Sequence, residues 1–386
     1  MKKFIFLVSH PIQYYSPLFR EIEKHDGIDL EVLYCSDENV EGHIDKGFGV
    51  KVRWDIPLLE GYNYKFLKNN SWKPSVFNGF FGLLNFQIFN ELKKEKGSYI
   101  ILHSWVQATT YLAIIAAKLH GVKLCLRAEN PLNQELMKPP PVLFLRRVFF
   151  QYFFFRLFDY FFYIGELNKK LYKYYGVKED KLVFTPYAVD NERYQNEYLQ
   201  YKDKKTELRS YLELPHDKII ILFAGKYIEK KRPMMLLEVF RSLSNDKTAL
   251  VFLGDGELRN KIESYIQKYS LKNVFLTGFK NQTEVGKYFA SADIFVLPSG
   301  AGETWGLVVN EAMNFALPVI VSDIAGCSSD LVAGDNGFVF KTHEELIKQL
   351  NFLVNNPEQI LQKGRVSLKR ISDYNYDKIV KNLLKI

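Results

Sequence analysis

FASADIFVLPSGAGETWGLVVNEAMNF (289–315) decides how this chain folds. FASAD reads as the end of an approach helix and IFVLP as a buried strand, which Pro298 stops. GLVVNEAMNF (306–315) carries apolar residues at helical spacing and ends before Pro318, which cannot continue a helix. The loop between them delivers free backbone N–H groups at a helix N-terminus, where an anion is stabilised. Gly306 lets a ligand approach the backbone. Glu303 stands in the loop and Glu311 in the helix, and eight helical residues rise roughly 12 Å. A long polar ligand with hydroxyls at both ends and phosphate in its middle suits that spacing. A surface loop and one solvated helix face would show the same two glutamates.

The neighbouring segments repeat the pattern. FAGKYIEKKRP (223–233) is a strand, a turn at Gly225 and a helix from about Pro233, with Lys226 and Lys231 in the turn. Lysine at the mouth of a strand-to-helix loop neutralises phosphate. LVFLGDGELRNKIE (250–263) and VFLTGFKNQTEVGKYF (274–289) are two further strand–glycine-turn–helix units, and PVIVSDIAG (318–326) supplies another strand. Such units build a parallel sheet whose turns gather at one end, and ligands bind at that carboxyl edge.

The first half has the same rhythm. KFIFLVS (3–9), IDLEVLYCS (28–36), SYIILHSW (98–105), VKLCLRAEN (122–130), FDYFFYIGE (158–166) and KLVFTPYAVD (181–190) read as strands with helices between them. Region 37–97 is less regular and reads as an insertion facing an acceptor. The expected fold class is α/β, with two Rossmann-like, doubly wound domains. The polar stretch NERYQNEYLQYKDKKTE (191–207) reads as the linker between the halves. The expected bounds are a first domain over 1–195, a linker over 196–210, a second domain over 211–371 and a C-terminal amphipathic helix over 372–386. After the first strand the chain reads VSHPIQYYSP (8–17), without G-x-G-x-x-G, which argues against an NAD or FAD dehydrogenase. His10 and Gln13 there are candidate acceptor-side residues; a strand-end histidine satisfied by backbone is the plainer alternative.

Composition narrows the class. The 386 residues exceed what one hydrophobic core serves, and 47% hydrophobic content permits two. Cys35, Cys125 and Cys327 are scattered, which fits a reducing, cytoplasmic setting better than a disulfide framework. Seven scattered histidines offer no metal-ligand spacing, so neither metal nor cofactor is expected. The net charge of +8 is spread along the chain with no nucleic-acid motif, so nucleic acid is not the expected partner; phosphate or anionic lipid explains the bias equally well.

PVLFLRRVFFQYFFFRLFDYFFYIG (141–165) is strongly apolar but interrupted by Arg146, Arg147, Gln151, Arg156 and Asp159. An arginine and an aspartate near the centre cost about 2.5–3.5 kcal/mol each on insertion, which argues against a membrane span. The stretch divides into a helix to about Leu157 and a strand. The helix 141–157 either lies on an anionic membrane surface, peripheral at its inner face with Arg146 and Arg147 at the phosphates, or is a core helix under the sheet.

GKYIEKKRP, LGDGELR, GF followed by EVGKYFASADIFVLPS, ETWGLVVNEAM, PVIVSDIAG and NGFVF occur in the order seen in the family 4 glycosyltransferases. The chain resembles these retaining, nucleotide-sugar-dependent enzymes of the GT-B fold, most strongly over 215–340. The resemblance implies two domains facing across a cleft, with a nucleoside diphosphate sugar as co-substrate and a glycan or lipid-linked acceptor. It implies that Lys226 and Lys231 hold the donor diphosphate, next to Gly225. Glu303 would bind sugar hydroxyls, and the backbone at Thr304, Trp305, Gly306 and Leu307 would face sugar and phosphate. Glu311 would bind the ribose, and Gly278, Phe279 and Lys280 would line the base pocket. Relatives place a histidine at the end of the strand 122–130, where this chain has Arg127-Ala128-Glu129. Arg127 and Glu129 are candidate contacts in its place or a local ion pair; His103 is a further candidate. A nucleotide-sugar epimerase and a non-catalytic sugar-nucleotide-binding scaffold are the alternatives.

Overall fold

Fifteen short strands appear in chain order in this computed structural model, which describes every residue except 39, 46, 244 and 245, and the backbone alone of 43–45, 50 and 51. They are β1 (Lys2–Val8), β2 (Ile28–Tyr34), β3 (His43–Asp45), β4 (Val50–Val52), β5 (Tyr64–Phe66), β6 (Tyr99–Leu102), β7 (Lys123–Leu126), β8 (Tyr160–Tyr163), β9 (Leu182–Phe184), β10 (Ile219–Ala224), β11 (Thr248–Leu253), β12 (Val274–Leu276), β13 (Ile294–Leu297), β14 (Val319–Ser322) and β15 (Gly337–Phe340).

The first sheet has the order β5-β2-β1-β6-β7-β8-β9 and the second β12-β11-β10-β13-β14-β15; β3 and β4 form a separate ribbon. Pairings within both large sheets are parallel, as crossover helices require. The central strands are continuous apolar runs because helices cover both faces: Ile220–Phe223 and Ile294–Leu297 are at most 1% exposed. The expected doubly wound α/β architecture is therefore present twice. In each sheet the strand order reverses once, between β1 and β6 and between β10 and β13, and loops at the carboxyl ends of such strands carry ligand sites.

Two compact units result: residues 1–43, 56–187 and 376–386 form one, and 44–55 with 188–375 the other. This differs from the expected boundary at 195. The stretch 191–207, read as a linker, forms the helix Asn191–Tyr201 and the start of the helix Lys205–Tyr211, both part of the second unit. Asp190 caps the first of these by accepting the Arg193 N–H at 3.0 Å, and buried Tyr194 meets the Phe315 ring at 6.0 Å. Arg209 is buried and donates to the Asp293 carboxylate at 2.6 Å. A few buried anchors suffice to dock helices whose remaining residues are polar. Residues 376–386 belong to the first unit, where Asn382 donates to the Phe184 carbonyl at 2.8 Å and Ile379, Val380 and Leu383 are buried.

The helix expected to Leu157 is α-helical over Pro140–Val148, widens to π turns over Phe149–Phe154 and tightens to Leu157 before β8 begins. It is neither wholly core nor wholly surface. Phe150, Phe154 and Phe155 are buried, while Phe144, Leu145 and Phe153 are 67%, 66% and 64% exposed. Arg146 points inward, contrary to its expected place at membrane phosphates. Its guanidinium donates to Glu135, a carboxylate only 1% exposed that also accepts from Lys138 at 2.8 Å and from the Tyr175 hydroxyl. Burial works to raise the Glu135 carboxyl, but Arg146, Lys138 and Tyr175 outweigh it and hold it below its ordinary value of 4.5. A carboxyl depressed in the folded state contributes stability above the unfolded value and loses it as pH falls through the folded one. Arg146→Ala should therefore cost about 3 kcal/mol in urea unfolding at pH 7.5, the low end of the range for a broken buried pair because Lys138 and Tyr175 remain. The penalty should shrink as pH falls through the depressed Glu135 value and the carboxyl protonates.

Candidate active site

Two loops, 225–232 and 298–306, follow the carboxyl ends of β10 and β13. Backbone alone sets the spacing of the turns beside them. The Gly254 N–H donates to the Gly278 carbonyl at 3.1 Å, and Gly254 has φ 141°. A Cβ on Gly254 would lie 2.0 Å from the Gly225 carbonyl oxygen, so no side chain fits there. The turn that carries the lysines is thus laid directly on the turn after β11.

The two loops are then laced together. The Gly300 N–H donates to the Lys230 carbonyl at 2.7 Å, and Lys230 Nζ donates to the Gly302 carbonyl at 3.2 Å. Lys231 Nζ donates to the Glu303 carboxylate, with side-chain exposures of 16% and 9%. Burial by itself would raise the Glu303 carboxyl; Lys231 and Lys230 outweigh it and hold the group below its ordinary value. Lys230 is held below its ordinary value by desolvation and by the charges of Lys231 and Lys226, against the attraction of Glu303. Lys226, Lys230, Lys231 and Glu303 therefore share one electrostatic neighbourhood. Lys226 also lies over the Phe48 ring, 5.0 Å from its centre.

Gly306 has φ 103° and opens the helix Leu307–Asn314; a Cβ on it would come within 2.6 Å of Leu297 Cδ2. Beneath the loop, the Gly326 and Cys327 N–H groups donate to the carbonyls of Glu303 and Trp305, each at 3.2 Å. A Cβ on Gly326 would lie 1.8 Å from the Thr304 carbonyl, so this support also needs glycine. The Trp305 side chain is core: it is 2% exposed and its indole N–H donates to Asn310 Oδ1 at 2.9 Å. What this segment leaves for a ligand is backbone and not the indole, since the first amides of a helix have no partner within it.

Glu311 is 5% exposed. Its charge acts on Arg193: burial works against that guanidinium, and Tyr194, Glu197, Glu311 and Asp190 together hold it above its ordinary value. Arg193 donates to the Gln282 carbonyl and to Gln282 Oε1, both at 2.9 Å. The structure thus groups Glu303 with the lysines and sets Glu311 in the field of Arg193, a residue missed because its segment read as linker. The usable signal was Asp190, which stands three places before Arg193 and caps its helix. Phe279 lies with Phe48 and Trp54, at ring separations of 4.9 and 6.4 Å. The Lys280 ammonium pairs with Glu284 at 3.8 Å, so its side chain follows the next helix.

In the first unit, the candidates at the reversal between β1 and β6 and on the next strand, β7, form a network around Tyr15. The Tyr15 hydroxyl accepts from Arg127 at 2.8 Å, donates to Glu129 at 3.2 Å and lies 2.9 Å from His103 Nδ1. With that one hydrogen on Glu129, His103 bonds the phenol through a protonated Nδ1, and its buried Nε2 has no partner among the described residues. Burial and then the Arg127 charge push His103 well below its ordinary value, so the ring is neutral. Burial raises the Glu129 carboxyl, partly offset by Arg127, which is 3.9 Å away, and by Tyr15. His10 sits nearer the surface, its Nδ1 2.9 Å from the Ser9 hydroxyl. Gln13 is half-buried in the same loop.

The strand-and-turn region that builds the lysine site has known kin. Residues 204–369 match the family described as glycosyl transferases group 1. An uncharacterized glycosyltransferase of Methanocaldococcus jannaschii is 26% identical over 167 residues, covering 43% of this chain and 46% of the relative. The alpha-monoglucosyldiacylglycerol synthase of Acholeplasma laidlawii is 30% identical over 154 residues, covering 39% and 38%. The chain spans about half, or less, of the length of these curated relatives. The crystal structure of Anabaena HepE in complex with UDP superposes with a TM-score of 0.74 at 14% identity, covering 100% of this chain and 99% of that one; the fold is shared.

The Lys231–Glu303 pair has a pH signature. In the wild type, Glu303 contributes stability above its ordinary value of 4.5 and loses it as pH falls further. In Lys231→Met the carboxyl keeps its burial and loses its nearest cation, so its pKa rises and stability is lost as pH climbs past 4.5. The melting-temperature deficit of Lys231→Met should be larger at pH 7.5 than at pH 4.5, as thermal unfolding across that range will show.

Proposed function

We propose that the chain is a retaining glycosyltransferase that moves a sugar from a nucleoside diphosphate sugar to an acceptor hydroxyl. The observation that carries this reading is the buried Lys231–Glu303 pair, with Lys226 and Lys230 beside it at the carboxyl edge of the second sheet. Lysines and the amides that open the helix Leu307–Asn314 offer a diphosphate fixed positive charge, while Glu303 offers an acceptor to sugar hydroxyls. The bond from the anomeric carbon to the diphosphate oxygen breaks, and its electron pair stays on the diphosphate. The acceptor oxygen bonds the anomeric carbon from the same face and passes its proton to the departing phosphate. Charge grows on the leaving group, so Lys226, Lys231 and the helix amides hold it more strongly in the transition state than in the ground state. Glu303, already paired with Lys231, binds substrate and is not the nucleophile. A metal is not needed for this distribution of charge. UDP in the HepE structure supports a nucleotide donor on this fold.

The acceptor reading rests on the first unit. Phe144, Leu145, Phe149, Tyr152, Phe153 and Leu157 are 37–67% exposed, beside Ile115 and Leu119 at 51% and 69%. A groove of about 460 Å³ opens among Tyr111, Ile114, Phe149, Phe153 and Leu157. Phe80, itself 43% exposed, extends this surface by meeting Tyr111 at 5.6 Å. Burying a large apolar side chain in full stabilises by about 1.5–3 kcal/mol, so this surface gains several kcal/mol on a bilayer. Arg147 and Arg156 on the same helix add about 1 kcal/mol each at an anionic surface. No described helix is long and apolar enough to cross a membrane. A peripheral enzyme acting on a lipid-linked or envelope glycan at the inner membrane face fits these features, and the diacylglycerol named for the Acholeplasma relative supports the reading.

Thermal-shift screening with UDP, GDP and ADP sugars should identify a donor that raises the melting temperature. With that donor, Lys231→Ala and Glu311→Ala should each lower turnover about 100-fold while the fold stays intact. Full transfer by both variants would refute the site; a changed sugar from donor alone would point to an epimerase, and binding without transfer to any acceptor, to a scaffold. Flotation with phosphatidylglycerol vesicles should show binding that Phe149→Ser with Phe153→Ser abolishes and Arg147→Glu weakens. Arg146 is left intact, because its loss would disturb the buried Glu135.

A further inference from the structure

Residues 47–55 come from the irregular first-half insertion, yet they lie on the second unit. Their contacts run across the carboxyl tips of three adjacent strands. At β10, the Lys226 ammonium lies over the Phe48 ring at 5.0 Å. At β11, the Gly47 carbonyl is so close to Gly256 that a Cβ there would lie 2.7 Å from its oxygen. At β12, Phe279 meets Phe48 edge-on at 4.9 Å and Trp54 at 6.4 Å. Beyond Phe279, Asn281 donates to the Arg53 carbonyl at 2.6 Å, and the Thr283 N–H donates to the Asp55 carboxylate at 3.2 Å, joined by the Thr283 hydroxyl. Backbone and side-chain bonds thus seat the segment at several points, and of its ring cluster with Phe279 the Phe48 ring stands next to Lys226.

Ring faces beside cationic phosphate ligands have the chemistry that recognises a nucleotide: planar aromatics stack on a base of any sequence, and lysine takes the charge. We propose that Phe48 and Trp54, together with Phe279, form an aromatic wall that stacks the nucleobase of the donor. The inference rests on the donor-site reading and adds a contribution from outside residues 204–369, the part of the chain that carries the family match. Phe48 would make the larger contribution, since it touches both Phe279 and Lys226 and so fixes the step from base to diphosphate. The Asp55–Thr283 and Arg53–Asn281 bonds are positioning contacts that hold the wall.

Isothermal titration of the full chain with UDP, GDP, ADP and inorganic pyrophosphate tests this. Phe48→Leu keeps apolar bulk and removes the ring face. It should raise the Kd for the nucleoside diphosphate that binds wild type about tenfold or more and leave the Kd for pyrophosphate unchanged. Phe48→Tyr should retain wild-type affinity. If Phe48→Leu binds that diphosphate as wild type does, or loses pyrophosphate equally, Phe48 is a structural tether and the inference is overturned. A wild-type chain that binds none of the three diphosphates overturns the donor reading, and this inference with it.

Discussion

A buried lysine–carboxylate pair, Lys231 with Glu303, is the constraint to which the rest of the second unit answers. Two charges leave water only if each finds the other, and the pair forms only if the loops after β10 and β13 stand at a fixed separation. Glycine supplies that separation. A side chain at Gly254 would strike the Gly225 carbonyl, one at Gly326 would strike the Thr304 carbonyl and one at Gly306 would strike Leu297. The backbone is therefore fitted before any side chain acts, and the charges are placed by the fit. Lys230 and Lys226 then raise the local positive potential beyond what one glutamate neutralises. On the proposed reading an anionic ligand completes that imbalance, while Lys230 also laces the two loops through the Gly302 carbonyl.

Much of this was legible because strands buried on both faces and glycine turns are local signals. IFVLP and IILFA read as buried strands, and their turns are marked by residues that no other type can replace. Three features were not legible. The polar stretch 191–207 buries one apolar side chain, Tyr194, and otherwise docks through polar residues such as Asn191, Arg193 and Gln195, so no amphipathic pattern rises above a Lys-rich background. Arg146 read as a surface cation because nothing local marks Glu135 as its buried partner eleven residues earlier. Residues 47–55 contact turns more than 170 positions later, as with Lys226 over Phe48, and a single sequence does not register such pairs.

In the first unit the candidate residues meet on a side chain that carries no motif. Arg127, Glu129 and His103 were candidates, and the structure gathers them on Tyr15, which sequence reading passed over. Tyr15 has one hydrogen and two acceptor positions; with Arg127 donating to it and its hydrogen on Glu129, His103 must donate through Nδ1. That pattern leaves His103 neutral with an open Nε2, a hydrogen-bond acceptor and not a proton donor. Glu129 keeps 29% of its side chain exposed, so it is the member of the network that meets solvent, while burial raises its carboxyl against the pull of Arg127 and Tyr15.

Glu311 completes the physical picture from the opposite side. A carboxylate 5% exposed on the helix Leu307–Asn314 is costly unless a cation lies near, and Arg193 is that cation. Arg193 is also spent on Gln282, whose carbonyl and side chain both accept from it. The same helix is tied from below: Asn314 donates to Asn191, and Gln195 donates to Asn314. The helix Asn191–Tyr201 thus fixes both the orientation of the glutamate-bearing helix and the electrostatics of Glu311. The segment that composition marks as a flexible connector is, by its contacts, a strut of the site. Loosening it would disturb Glu311 before it disturbed Lys231, because the lysine pair is held by the glycine-fitted loops, whereas Arg193 and the Asn314 ties belong to this helix.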